Sequence, residues 1–285
     1  MFVPIAEEKV FRNNFGEKVT AGAMGVEEIK EIDGCKFNLL RFICILCPIN
    51  AYMRKIMGDS WSLPQGCLLA TLILAAGEFV WVDGEDLESC FNLFTLPDSW
   101  LSYFVFSKMV ASSAFGETPA RMTYVAMRAV PMGWTNSVAL LQNFLRNLLY
   151  KTIKVPREVD VNPRQRVLRG DAMVACMDGA DYITRLRVVN SELRRYDGGE
   201  LPRSGERHPI MKQFVAACEA LGLPINVAKK VVQDFNGAIL GGELDGIRGT
   251  LGVAPEKGHK FLDKTCALLS VPKVTQVACQ HWSGL

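Results

Sequence analysis

The chain has 285 residues, 49% of them hydrophobic, and a formal net charge of +2. That length buries a sizeable core, a mean hydropathy of +0.13 excludes a disordered chain, and the near-neutral balance gives no global basic field for nucleic acid. Nine scattered cysteines, with no charged-then-apolar leader at Met1, fit reduced thiols in a cytoplasmic or nuclear protein better than a disulfide framework or a signal peptide. Cys44 and Cys47 offer half a zinc site with no second pair, and read as buried thiols. No apolar run reaches the roughly 18 residues of a membrane span; Cys67 to Gly77 comes nearest and is too short, so no membrane partner is expected. Arginines cluster locally, at Arg157, Arg164, Arg166 and Arg169, then at Arg185, Arg187, Arg194, Arg195, Arg203 and Arg207.

Residues 1–36 are mixed and without a clear period. Phe37 to Cys47 reads as one or two β-segments broken by Pro48, and Ser62 to Gly66 as a turn. Cys67 to Ala76 is expected to be a buried helix. Phe79 to Val82 is a short strand by its β-branched and aromatic content. The segment Ser99 to Val110 is aromatic and amphipathic. Tyr124 to Met127 is a strand leading into the turn at Pro131-Met132-Gly133. From about Ser137 a helix sets Val138, Leu141, Leu145, Leu148 and Leu149 on one stripe, with Thr135, Asn136 or Ser137 able to cap it. Ala172 to Met177 is a second central strand. Ile210, Phe214, Val215, Cys218 and Leu221 mark another amphipathic helix, ended by Gly222 and Pro224. Val231-Val232 and Ala238 to Leu240 are short strands beside Gly241-Gly242. This order suggests a sheet with helices on one face.

Two acidic positions carry the chemistry. Asp86 or Asp83 follows the first apolar strand, Asp178 follows the second, and they stand 92 positions apart (178 − 86 = 92). Carboxylates from neighbouring strands of one sheet can converge to hold hard divalent cations. Between them lies Val130-Pro131-Met132-Gly133-Trp134, a turn running into a helix.

In that order the three blocks resemble the reverse transcriptases of retroelements, closest to the DIRS-like or other long-terminal-repeat kind. Flanking segments extend the resemblance: Leu40-Arg41-Phe42-Ile43 with Pro48-Ile49-Asn50, then Leu221 to Lys230, then Ile239 to Leu244. It implies an α+β fold, a right-hand polymerase palm with fingers and an incomplete thumb: a fingers-like region over 1–75, palm over 76–250, and a truncated start of thumb or connection over 251–285, where Gln280-His281-Trp282 stops abruptly. It also implies an RNA-directed DNA polymerase that adds deoxynucleoside triphosphates to a primer on an RNA or DNA template. Mg²⁺ or Mn²⁺ would be held by Asp86 and Asp178. The family pattern prefers Asp86 over Asp83 because Phe91, five residues on, then falls at the aromatic sugar gate. Arg41 and Lys230 would hold the triphosphate, with Lys230 taken as the catalytic lysine at the departing pyrophosphate and Lys229 beside it as a substrate contact able to serve there too. Gly133 with Met132 would support the template base and incoming nucleotide. Two departures count against full activity: Met132 stands where relatives carry Gln, and Gly179 where they carry a second acid. Asp181 lies close by in sequence and could substitute in part, although strand geometry is expected to point it differently. The alternative is a non-catalytic nucleic-acid-binding remnant.

Overall fold

The structure is a computed structural model, which describes residues 1–32, 35–56, 58–164, 170–187, 206–253 and 255–269. In chain order the elements are β1 (Phe2–Ile5), β2 (Gly22–Ile32), β3 (Cys35–Ile45), α1 (Cys47–Asn50), α2 (Gly66–Leu69), β4 (Glu78–Asp86), α3 (Cys90–Leu93), β5 (Val110–Ala111), β6 (Met122–Met127) and α4 (Ser137–Asn147). There follow β7 (Ala172–Cys176), β8 (Gly179–Arg187), α5 (Pro209–Ala220), β9 (Val231–Asp234), β10 (Asn236–Ile239), β11 (Gly242–Asp245), β12 (Thr250–Val253) and α6 (Pro255–Leu269). The fold is mixed α/β with small antiparallel sheets, and it divides into two compact units. The first is built from Met1–Trp61, Leu87–Leu148 and Cys218–Ile225, the second from Ser62–Asp86, Leu149–Ala217 and Asn226–Leu285.

In the first unit, β6 lies between β1 and β5, and β2 and β3 form a separate two-stranded ribbon. Its core gathers Val10, Ile49, Phe104, Val105, Ala126 and Trp134. Trp134 anchors the Pro-Met-Gly-Trp turn, edge-on to Phe104 and Trp100 at centroid distances of 5.2 and 5.7 Å. Two asparagines staple this turn. Asn50 Nδ2 donates to the Gly133 carbonyl (2.9 Å) and its Oδ1 accepts from the Thr135 N–H (3.0 Å). Asn136 Oδ1 accepts from the Ile56 N–H, and its Nδ2 donates to the Arg54 carbonyl. Asn136 holds the N-cap position of α4, yet its side chain is spent on this staple and caps nothing. Ser137 Oγ instead donates to the Pro131 carbonyl at 2.7 Å. The expected stripe on α4 is present, with Leu141 and Leu145 buried.

In the second unit the sheet order is β7-β8-β4-β9, all antiparallel. Strand alternation sorts the residues onto two faces. Val80, Val82, Ala172, Val174 and Ile183 share one, where they pack with Leu69, Val161, Ile239 and Leu244. That face is therefore covered partly by the β10–β12 meander and not by helices alone, which corrects the expectation of helices on a single face.

The opposite face carries Trp81, Asp83 and Glu85 from β4 and Tyr182 from β8. Asp83 and Glu85 are buried. Glu85 is ion-paired to Arg207, and Asp83 Oδ1 accepts from the Gln233 N–H at 3.4 Å. The His208 ring stacks on Tyr182, with centroids 4.1 Å apart. Burial pushes both carboxyls above their usual range, while the Gln233 and His208 N–H groups pull Asp83 back and Arg207 pulls Glu85 back.

The remaining differences have local causes. The run at Cys67 makes only one helical turn, because a uniformly apolar run has no amphipathic period to choose helix over extended chain. The strand at Phe79 continues to Asp86, since Asp83 and Glu85 find partners on a buried face instead of forming a turn. Strands β2 and β8 mix charges and glycines with apolar residues, so neither shows a period in the sequence. Arg166, Arg169, Arg194, Arg195, Arg203 and Gln280-His281-Trp282 lie outside the described residues.

Removing Arg207 would strand the buried Glu85 carboxylate. Arg207→Met is expected to lower stability by roughly 3 kcal/mol in urea unfolding at pH 7; a loss under about 0.5 kcal/mol, typical of a surface change, would mean the pair does not hold this face.

A carboxylate pair at a strand end and hairpin turn

Strand β4 ends at Asp86, whose cross-strand partner on β8 is Gly179. The β7–β8 hairpin turns through Met177-Asp178, with Met177 in left-handed backbone at φ +43° and the Asp178 N–H closing onto the Cys176 carbonyl. Asp178 is thus the chain neighbour of the residue that faces Asp86, and the two acids meet although they are far apart in sequence. The pair is electrostatically coupled. Burial pushes the Asp178 carboxyl up, and the Asp86 charge pushes it further.

Asp83 does not join them. It stands three residues before Asp86 on a continuous strand, so it points to the opposite face, among Gln233, His208 and Arg207. Of the two candidates left open by the sequence, the geometry brings Asp86 to Asp178.

Gly179 has a steric role. A Cβ there would lie 3.0 Å from the Glu85 carbonyl oxygen and 3.2 Å from Asp86 Oδ1, so the Asp86 carboxylate leans over ground that a side chain would occupy. Gly84 does the same two residues back along β4: it faces Asp181, and a Cβ would collide with Asp181 Oδ1. Asp181 shares the face of Asp86 in the diagonal position. Burial, then the Asp86 charge, pushes its carboxyl up to about 7. The Cys176 thiol is pushed up to about 11 by burial, with Asp178 and Asp181 adding to it.

Among the described residues a lysine answers Asp86. Lys229 Nζ donates to Asp86 Oδ2 at 2.7 Å, and that bond raises the lysine above its ordinary value. Lys230 bears instead on Glu85, across the strand. Among the described residues no group of three or more His, Cys, Asp or Glu side chains forms a ready-made metal cage. Two carboxylates suit Mg²⁺ or Mn²⁺ in the manner of sites that complete their shell with water and substrate phosphate oxygens.

The other expected site residues belong to the first unit. Gly133 has φ +93°, a conformation that favours glycine. Met132 beside it is exposed. Phe91 lies in α3 and packs against the first unit's core. Arg41 is on β3, in register with Val26 of β2. Sequence reasoning missed the Asn50 staple; a side-chain amide that could satisfy both groups of a glycine turn was the only available hint. Among the described residues no cysteine forms a disulfide, and no helix is long and apolar enough to cross a membrane.

Asp181 gives the site a pH signature. Its folded-state pKa of about 7 lies above the ordinary 3.8, so the folded protein retains a proton that the unfolded chain releases. The associated stability is whole below the lower value and is lost as pH rises through the upper one. In EDTA, the wild type should lose roughly 2–3 kcal/mol more than Asp181→Asn between pH 5 and pH 8 in urea titrations. Parallel pH profiles for the two proteins would remove Asp181 from the buried set.

No protein-family model and no curated protein matches the chain. Solved structures do. The chain is similar to the foamy viral protease-reverse transcriptase dRH in complex with double-stranded DNA, with 13% identity and a TM-score of 0.50 over 86% of this chain and 32% of that one. It is similar to the foamy viral protease-reverse transcriptase in complex with RNA/DNA hybrid at the same identity and TM-score, over 86% of this chain and 25% of that one. The chain therefore spans about a third and a quarter of the length of those two proteins. At 13% identity the likeness is one of architecture: the fold is reverse-transcriptase-like.

Proposed function

We propose that this protein is a reverse-transcriptase polymerase core, an RNA-directed DNA polymerase that adds deoxynucleotides to a primer 3′ end on an RNA or DNA template. The observation that carries the reading is the meeting of Asp86 and Asp178 at a strand end and hairpin turn of one sheet, inside a reverse-transcriptase-like fold. The two similar proteins are in complex with double-stranded DNA and RNA/DNA hybrid, which supports a nucleic-acid duplex as partner.

Asp86 and Asp178 would hold Mg²⁺ or Mn²⁺, whose bound form supplies Lewis acidity to the primer hydroxyl and the departing pyrophosphate. The protein's own groups do the rest. Burial raises the Asp178 carboxyl, and a bound cation would act against that by favouring the charged form. Lys229, mostly exposed beside Asp86, would meet a phosphate, as would the exposed Lys230 that follows it. In the first unit, Arg41 would bind the triphosphate and Phe91 the sugar, while Gly133 would let backbone approach the template–nucleotide pair. Met132 offers no amide there, which lowers the expected efficiency.

A second reading, a non-catalytic nucleic-acid-binding remnant of a retroelement polymerase, is favoured by Gly179 in place of a second acid and by the lysine already bonded to Asp86. Primer extension on poly(rA)/oligo(dT) with Mg²⁺ or Mn²⁺ separates them. Incorporation that falls at least about 100-fold in Asp178→Ala supports the enzyme. Salt-sensitive duplex binding without incorporation supports the remnant, and incorporation indifferent to Asp178→Ala sinks the polymerase assignment at this site.

A further inference from the structure

Lys229 is held over Asp86 by more than its own ion pair. The Asn226 N–H donates to the Asp86 carbonyl at 2.8 Å, tying the segment after α5 to the end of β4. Asn226 Oδ1 then accepts from the Ala228 N–H at 3.2 Å, capping a short 3₁₀ turn over Val227–Lys229. The Lys229 N–H closes that turn onto the Asn226 carbonyl at 3.0 Å. One asparagine thus fixes both the acid's backbone and the turn that bears the cation.

The two partners differ in freedom. The Asp86 side chain is 21% exposed and the Lys229 side chain 63%. A lysine is a hydrated point charge on a flexible stem, able to swing into solvent, whereas an arginine would grip a carboxylate through two bonds. The oxygen that Lys229 occupies, Asp86 Oδ2, belongs to the acid that would bind a divalent cation alongside Asp178.

We infer that Lys229 is a resident counter-ion that competes with divalent cations for Asp86, occupying the carboxylate until a metal displaces it. The inference rests on the proposed reading of Asp86 and Asp178 as a cation pair. It offsets one carboxylate charge of the bare site, and it makes divalent binding an exchange of one cation for another. The freed ammonium stays tethered a turn away, where it can meet an incoming phosphate group.

The test is Mn²⁺ binding by the full chain without nucleotide, read from the free-ion electron paramagnetic resonance signal. Lys229→Gln should bind Mn²⁺ about 5- to 50-fold more tightly than the wild type, because a positive charge next to the cation has gone. Lys229→Arg, which keeps the charge, should bind no more tightly than the wild type. Asp86→Asn should weaken binding in both the wild-type and Lys229→Gln backgrounds, with circular dichroism confirming that each variant folds. If binding depends on Asp86 but Lys229→Gln equals the wild type, or Lys229→Arg rises with Lys229→Gln, the competition is overturned and the cation pair stands. If no protein binds Mn²⁺ through Asp86, both the competition and the cation pair fall.

Discussion

The pairing of β4 with β8 decides which acids of this protein can act together. Nine consecutive residue pairs run from Glu78–Arg187 to Asp86–Gly179 without a slip. Because side chains alternate along a strand, this register sends Asp86 and Asp181 to one face and Asp83 and Glu85 to the other. A shift of one residue would exchange the sets, leaving Asp86 against Arg207 and two other acids at the hairpin. Two fits oppose such a shift: the Glu85–Arg207 ion pair on one side, and the Asp181 carboxylate nested over Gly84 on the other.

The two faces treat charge differently. Asp83 and Glu85 are shut away from water, and their partners come from the turn into α5 and from β9. Such groups are costly to disturb and carry little information about solvent. Asp86 and Asp178 sit where the sheet runs out, with a lysine on an exposed stem as their cation. Lys229 and Lys230, consecutive in sequence, divide between the two sets, the first serving Asp86 and the second bearing on Glu85. The two sets of charges are thus separated by the thickness of one strand.

The sequence made some of this legible and hid the rest for identifiable reasons. The apolar strands at Phe79 and Ala172 and the helix at Ser137 announced themselves by composition and period, and the acids just beyond the strands could be picked out. The choice between Asp86 and Asp83 depended on how far β4 continues, and its polar end reads as a turn until Arg207, Gln233 and His208 are seen to partner it. Strand β8 was invisible because its charged and apolar residues follow tertiary partners on both faces. The contact between Lys229 and Asp86 spans 143 positions, so no local pattern could reveal it. The glycine turn at Gly133 could be found, but not the Asn50 side chain that clamps it from 83 residues away.

Gly179 changes how a missing acid should be understood. With the Glu85 carbonyl and the Asp86 carboxylate crowding the space above it, the position is entrenched by its neighbours. An aspartate introduced there by a single substitution would require the Asp86 carboxylate and the Glu85 carbonyl to give by a few tenths of an ångström. Whether a pair of adjacent acids fits at this turn is therefore decided by how far the Asp86 carboxylate on the opposite strand can yield.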